Sequence, residues 1–206
     1  MEIRRLVLGE LATNCYIISS GKEALVIDPA AEASAILSCL EKEDLDLCGI
    51  LLTHGHFDHT GALYDIKEKT GAKVYIHELD APMLGDNEKN LSCMTGDKQT
   101  QVEPDVLLSG GETIDFGEDP LFVMHTPGHS AGSVSYIADG CVFVGDLIFK
   151  GSIGRYDFGN YSDELDSIKK LLEAVPDSTL LLPGHGEETT ADFEKKNNFY
   201  IRGLFD

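Results

Sequence analysis

Residues 51–62 read LLTHGHFDHTGA, an apolar run that ends on three histidines and an aspartate within six positions: His54, His56, Asp58 and His59. Histidines two apart in an extended loop project to one side and can grip one metal ion. Asp58 and His59 follow at the next turn and can grip a second. Gly55, between the first pair, lets the backbone approach closely. A lone surface histidine is usually solvated, but four ligand-type residues this close together point to a metal centre. Its remaining ligands must come from elsewhere in the chain.

Three other loops have the same character. HTPGHSAGS (125–133) sets His129 after Pro127 and Gly128, just past the strand-like LFVMH. CVFVGDLIF (141–149) ends an apolar run on Asp146 after Gly145, and LLPGHGEE (181–188) sets His185 between glycines. LLTHGH and LLPGHG both lead apolar, strand-like residues into a histidine-bearing loop, so two strand ends can deliver ligands to one place. His125, four residues before His129, reads as a packed or supporting residue rather than a ligand. His77, in VYIHELD, reads as structural, at the point where a helix begins.

The 206 residues fit one domain spanning 1–206, long enough to bury roughly 70% of the surface of its unfolded chain. The formal net charge is −20, from 36 acidic and 16 basic residues, with no Lys/Arg cluster. Such a field repels polyanions, which argues against DNA or RNA as partner. A small substrate remains compatible, because a bound cation dominates its own site. No apolar stretch approaches the ~20 residues of a membrane span, and MEIRRLVLGE carries charge among its apolar positions. The expectation is a cytoplasmic protein with neither signal peptide nor membrane partner. Cys15, Cys39, Cys48, Cys93 and Cys141 are odd in number and never spaced C-x-x-C. They read as reduced thiols, mostly buried, with Cys93 the exposed one.

Strand-like runs recur as IRRLVLG, NCYIIS, ALVID, GILLT, KVYIH, DVLL, LFVMH, SVSYIA, CVFVG and TLLLP. SDELDSIKKLLEAVP (162–176) puts Leu165, Ile168, Leu171, Leu172 and Val175 on one helical face, opens with acids and stops at Pro176. TGALYDIKEKTG is a shorter helix stopped by Gly71, and EASAILSCLEKE is a third. The C-terminal TTADFEKKNNFYIRGLFD reads as an outer helix with Phe193, Phe199 and Ile201 as candidates for burial. Strands and helices mix without strict alternation, so an α+β arrangement of layers fits better than a doubly wound sheet.

Together these residues resemble the metallo-β-lactamase superfamily: THGHFDH matches its H-x-H-x-D-H signature, and TPGH, GD and PGHG follow in the family's order. HTPGHSAGSV, GDLIFKGSIGRYDF and GHGEETT are most similar to the glyoxalase-II-like branch, in particular its short single-domain members. The resemblance implies a four-layer αββα sandwich with the metals at one edge of paired sheets. It implies that His54, His56 and His129 hold one divalent ion and Asp58, His59 and His185 another, with Asp146 bridging them. Oxygen and nitrogen donors without sulfur suit zinc, while iron and manganese also fit. The implied activity is hydrolysis of small acyl thioesters by a hydroxide shared between two ions, roughly 3.5–4 Å apart. Asp58 would orient that hydroxide while ligating. A thioester suits the reaction because a thiolate leaves without a general acid.

The sequence also departs from that branch. It ends about twenty residues after PGHG, where full-length glyoxalase II enzymes carry a helical region that helps bind glutathione. Arg155 stands at the position of a basic residue used for the thiol carrier, with Tyr156 beside it as a second candidate contact. Asp157 replaces an expected tyrosine, so a weak grip on glutathione is expected. Persulfide dioxygenases are the rival class: they share the fold, the H-x-H-x-D-H signature and a stretch like GRYDF (154–158). They would use one iron on His54, His129 and Asp146. The complete second ligand set favours hydrolysis, and a lactonase is a third possibility. The lack of an export signal argues against β-lactam hydrolysis. Oligomeric state is left open.

Overall fold

The computed structural model describes residues 1–95, 99–157 and 159–205. Gly96 to Lys98, within the polar stretch around Cys93, and Phe158, the last residue of GRYDF, lie outside the described residues. The apolar runs of the first half become a six-stranded sheet in chain order: β1 (Glu2–Leu8), β2 (Thr13–Ser20), β3 (Glu23–Ile27), β4 (Asp46–Leu51), β5 (Lys73–His77) and β6 (Val106–Leu108). β1 to β3 pair antiparallel and β3 to β6 parallel. Between the parallel strands run α1 (Ala33–Lys42), the single turn α2 (Phe57–Thr60) and α3 (Leu63–Thr70).

The second half supplies β7 (Thr113–Ile114), β8 (Leu121–His125), β9 (Val134–Ala138) and β10 (Cys141–Gly145). After a small hairpin of β11 (Ile148–Phe149) and β12 (Ser152–Ile153) come α4 (Tyr161–Ala174), β13 (Leu180–Pro183), β14 (Thr189–Thr190) and α5 (Ala191–Asn197). The second six-stranded sheet runs β14-β13-β10-β9-β8-β7, and β10 and β13 are parallel.

Side-chain alternation along these strands builds the layers. In β2, β3 and β4, Tyr16, Ile18, Leu25, Ile27 and Leu51 face the second sheet, where Phe143, Tyr136 and Val123 meet them. The alternate residues Cys15, Ile17, Val26 and Ile50 pack against Ile36, Leu63 and Ile66 of α1 and α3. On the far side of the second sheet, Val142, Val144 and Leu181 meet Ile168, Leu171 and Leu172 of α4. The result is an α+β sandwich of two mixed sheets with helices outside, the layering that the resemblance implies.

Local signals set the helix ends. Asn160 caps α4 by accepting from the N–H groups of Ser162 (2.9 Å) and Asp163 (3.2 Å). Asp163 and Glu164 sit at its positive end, and the helix stops ahead of Pro176. Gly71, in the left-handed conformation, ends α3 with its N–H on the Lys67 carbonyl.

The structure corrects several expectations. The C-terminal helix ends at Asn197, and Phe193 and Phe199 are exposed while Ile201 is fully buried. Asn198 turns the chain there: its side chain is buried against Glu194 and the Ser152 carbonyl, so the 3.6-residue period breaks before Phe199. The thiols are not mostly buried, since Cys15 and Cys141 are, Cys39 is partly so, and both Cys48 and Cys93 are exposed. Cys48 is the residue skipped where the β3–β4 register shifts between Leu47 and Gly49, near the start of β4. His77 ends β5 rather than beginning a helix. β7, β11, β12 and β14 are two-residue strands, too short to show a period. Among the described residues no helix is long and apolar enough to cross a membrane.

Leu171 and Phe193 test this core. Leu171→Ala should cost about 2–5 kcal/mol in urea unfolding, and Phe193→Ala should stay within about 0.5 kcal/mol of the parent. Equal losses would contradict the packing described.

Candidate metal centre

Four strand ends aim loops at one edge of the sandwich. β4 leads to His54 and His56, β8 to His129, β10 to Asp146 and β13 to His185, while α2 turns Asp58 and His59 inward. The structure brings all seven residues together. Ligand atoms of His54, His56 and His129 lie within 4.8 Å of one another, as do those of Asp58, His59 and His185. Asp146 stands between the two groups. Its Oδ1 is 3.3 Å from His59 Nε2, and its Oδ2 is 3.6 Å from His129 Nε2 and 3.5 Å from His185 Nε2.

Four of the five histidines are tied on their outer nitrogen. His59 Nδ1 donates to Asp28 Oδ2 (3.0 Å), His129 Nδ1 to the Arg155 carbonyl (2.7 Å) and His185 Nδ1 to the Leu11 carbonyl (3.1 Å). His54 Nδ1 lies 3.1 Å from the Thr53 hydroxyl, which itself donates to Asp28 Oδ2 at 2.6 Å. That hydroxyl proton is committed, so His54 must be the donor. An imidazole that donates from Nδ1 presents a bare lone pair on Nε2, the state that binds metal. The fifth, His56, turns Nδ1 to within 2.9 Å of His129 Nε2.

The charges are arranged to match. Burial first, then the neighbouring imidazoles, drive His54 well below its ordinary range and His56 down to about 3. Around His59, burial is outweighed by the carboxylates of Asp146, Asp28 and Asp58, and its affinity for a proton rises. His185 moves the same way, burial being overcome by the Asp58 and Asp146 carboxylates. Burial also opposes ionisation of Asp58 and Asp146, but the His59 ring reverses it and holds both below the usual carboxylate range.

The residues fit a divalent metal centre. His54 Nε2, His59 Nε2 and Asp146 Oδ1 are buried without a hydrogen bond, a cost that is rarely tolerated without a partner. The backbone is shaped for it as well. A Cβ on Gly184 would lie 2.2 Å from Asp146 Oδ1 and 2.6 Å from His59 Cε1, so only glycine leaves these two in place. Gly55, by contrast, is needed for Met83, whose Cβ an added methyl would meet at 2.7 Å.

Several supporting residues escape a reading of the sequence. Asp28, with φ of 52°, takes Thr53 N, Thr53 Oγ1 and His59 Nδ1 on one buried carboxylate. Asn14 Nδ2 and Tyr16 Oη reach across to the Pro183 carbonyl at 2.8 and 2.7 Å and hold the His185 loop. Their only signal was a polar residue at the end of, or inside, an otherwise apolar run. His125 is a packed residue, stacked on His77 with ring centroids 4.1 Å apart, and its Nε2 donates to the Ala131 carbonyl. The Arg155 guanidinium pairs with Asp157, and the exposed Tyr156 ring packs on Tyr161.

Beneath the His129 loop, Glu164 is fully buried with neither carboxylate oxygen hydrogen-bonded. Burial pushes it up to about 8, with Asp146 adding to the effect and the His129 N–H pulling the other way.

Comparison with known proteins shows the family and the fold. The profile of the metallo-β-lactamase superfamily matches residues 8–185. The "Probable metallo-hydrolase YqgX" of Bacillus subtilis is 38% identical over 209 residues, covering 99% of both chains. The "Hydroxyacylglutathione hydrolase GloC" of Haemophilus influenzae is 30% identical, covering 98% of both. Among solved structures, the BLEG-1 B3 metallo-β-lactamase superposes with a TM-score of 0.93 at 36% identity, covering 98% of this chain and 100% of that one. The di-iron form of TTHA1623 gives 0.87 at 34%, covering 96% and 100%. ETHE1 from Myxococcus xanthus gives 0.83 at 30%, covering 98% and 85%.

Two outcomes are expected. Gly184→Ala should displace Asp146 and His59 and lower bound metal, measured by elemental analysis; full metal content would contradict the close approach. A carboxyl raised in the folded state makes the folded protein hold more protons than the unfolded one, so Glu164 withdraws stability as pH climbs from its usual 4.5 toward about 8. In chelator-treated protein, Glu164→Gln should therefore lose less stability than the parent between pH 5 and pH 8. Parallel urea midpoints would count against the burial.

Proposed function

Because the chain belongs to the metallo-β-lactamase superfamily, whose members are mostly hydrolytic enzymes that bind divalent metals, we propose that it hydrolyses small acyl thioesters with two such ions, in the manner of glyoxalase II. The observation that carries this reading is that His54, His56 and His129 form one group of three and Asp58, His59 and His185 another, with Asp146 between them and itself grouped with His54 and His59, one from each. His54, His56 and His129 would hold one ion, Asp58, His59 and His185 the other, and Asp146 both. Zinc suits the donors, and iron is supported by the di-iron form of the 34% identical TTHA1623. Bound ions would supply Lewis acidity and a water acidic enough to act as nucleophile at neutral pH.

The protein's own groups account for the rest. Asp58 is kept ionised, accepts the Thr13 hydroxyl on Oδ2 (3.2 Å) and faces His185 Nε2 at 3.1 Å. Its carboxylate orients the attacking water, which reacts as hydroxide after losing a proton to solvent, by accepting a hydrogen bond from it. Water adds to the thioester carbonyl, the C–S bond breaks, and the thiolate leaves unprotonated, so no general acid is required. The 30% identity to a hydroxyacylglutathione hydrolase supports a thioester substrate. Asp157 already engages Arg155, so a carboxylate-bearing carrier must compete for that guanidinium. Glutathione thioesters should accordingly bind weakly while turnover survives. With a net charge of −20 the substrate is a small molecule rather than a nucleic acid, and cytoplasmic thioesters are the natural pool.

Anaerobic assays on metal-replete protein test this. S-lactoylglutathione and an S-acyl N-acetylcysteamine should both be cleaved without oxygen, and Asp58→Asn should lower turnover at least roughly a hundredfold. Elemental analysis should find two ions per chain. An iron-loaded sample that consumes oxygen with glutathione persulfide and leaves thioesters and lactones intact would overturn the reading. So would hydrolysis confined to a β-lactam.

A further inference from the structure

We propose that Asp80 is a positioning residue, the buried carboxylate that sets the spacing between the two loops carrying His54, His56 and His129. The proposal rests on the reading that those three histidines hold one ion. Asp80 follows β5, is 1% exposed, and belongs to neither loop. Its Oδ2 accepts from the Gly55 N–H at 3.1 Å and from the Ser130 hydroxyl at 2.6 Å, and its Oδ1 from the Gly132 N–H at 2.7 Å. Gly55 lies between His54 and His56, and Ser130 follows His129. One carboxylate thus grips the backbone between His54 and His56 and, on the other loop, the Ser130 side chain next to His129 and the Gly132 backbone three residues past it, across the gap between the two sheets.

The surroundings are built to admit this carboxylate. A Cβ on Gly132 would lie 2.7 Å from Asp80 N and Oδ1, so a larger residue would push the loop off its anchor. A Cβ on Gly55 would meet Met83 and, at 3.2 Å, the Asp80 carbonyl. Asp80 is itself held, its N–H on the His77 carbonyl and its carbonyl taking the Met83 N–H. The stacked rings of His77 and His125 join the segment that carries Asp80 to the base of the His129 loop. Among the described residues no basic side chain forms an ion pair with Asp80. A buried carboxylate stabilised only by neutral donors is costly. What it secures is geometry, since His56 Nδ1 and His129 Nε2 meet at 2.9 Å across these loops.

The alternative is that the Thr53 carbonyl, which takes the Val134 N–H at 2.8 Å, holds the loops together and Asp80 only fills space. Asparagine separates the two, because it keeps the volume but replaces one acceptor oxygen by a donor. Apo protein would be titrated with Co2+ against a competing chelator while the visible absorption of the bound ion is recorded. Asp80→Asn should weaken one Co2+ equivalent by roughly tenfold to a hundredfold, the range for groups that orient ligands. Its absorption bands should change while the second equivalent is retained. Ser130→Ala removes one of the three bonds and should weaken the same equivalent by less. Should Asp80→Asn fail to fold, Ser130→Ala decides alone. Unchanged affinity and bands in the folded variants would overturn the positioning role, as would equal weakening of both equivalents. A parent protein that binds no Co2+ would instead sink the metal reading itself.

Discussion

Burying five imidazoles and two carboxylates at one edge of a sandwich is unfavourable unless most of them are bonded on the side away from the centre. Much of the molecule answers that constraint. Asp28 alone secures Thr53 and His59, and through the Thr53 hydroxyl it reaches His54. The carbonyls of Arg155 and Leu11 do the same for His129 and His185. Each bond fixes a direction and, for an uncharged ring, a tautomer as well, so the inward nitrogen of a neutral imidazole is a lone pair rather than an N–H group.

The two sheets become interdependent for the same reason. Asn14 N donates to the Gly184 carbonyl, so β2 of the first sheet holds a loop of the second. Tyr136 of the second sheet returns a bond to the Leu52 carbonyl at 2.7 Å, just before the His54 loop. These polar ties bracket an apolar layer that carries no direction of its own. Packing supplies cohesion between the sheets, and the bonds at the rim supply their alignment.

Net charge and local charge are separate matters in this protein. The chain carries a large negative excess, yet the centre combines imidazoles that resist protons with carboxylates held ionised by their neighbours. Metal ligands must shed protons before they bind. Burial disfavours the protonated form of His54 and His56, whereas His59 and His185 hold a proton more readily beside the ionised Asp58 and Asp146 and would exchange it for the charge of an incoming ion. A ready ligand set is therefore compatible with an acidic surface.

The sequence by itself determined the elements and the ligand candidates. Periodicity, capping residues and glycine stops are local, so β5, β8 and β10 appear in it residue for residue, and α4 to within two positions at either end. The closely spaced His54, His56, Asp58 and His59 were legible for the same reason. Tertiary structure decided what those residues face. Nothing near Asp28, Asn14 or Asp80 in the chain shows that its partner lies on another strand end. Phe199 is as apolar as Ile201, yet only Ile201 is buried, because Asn198 turns the chain after α5. Gly55 and Gly184 look alike between ligand-bearing residues, but one makes room for Met83 and the other for Asp146 and His59. Close approach is a relation between distant segments, and only the folded chain brings those segments together.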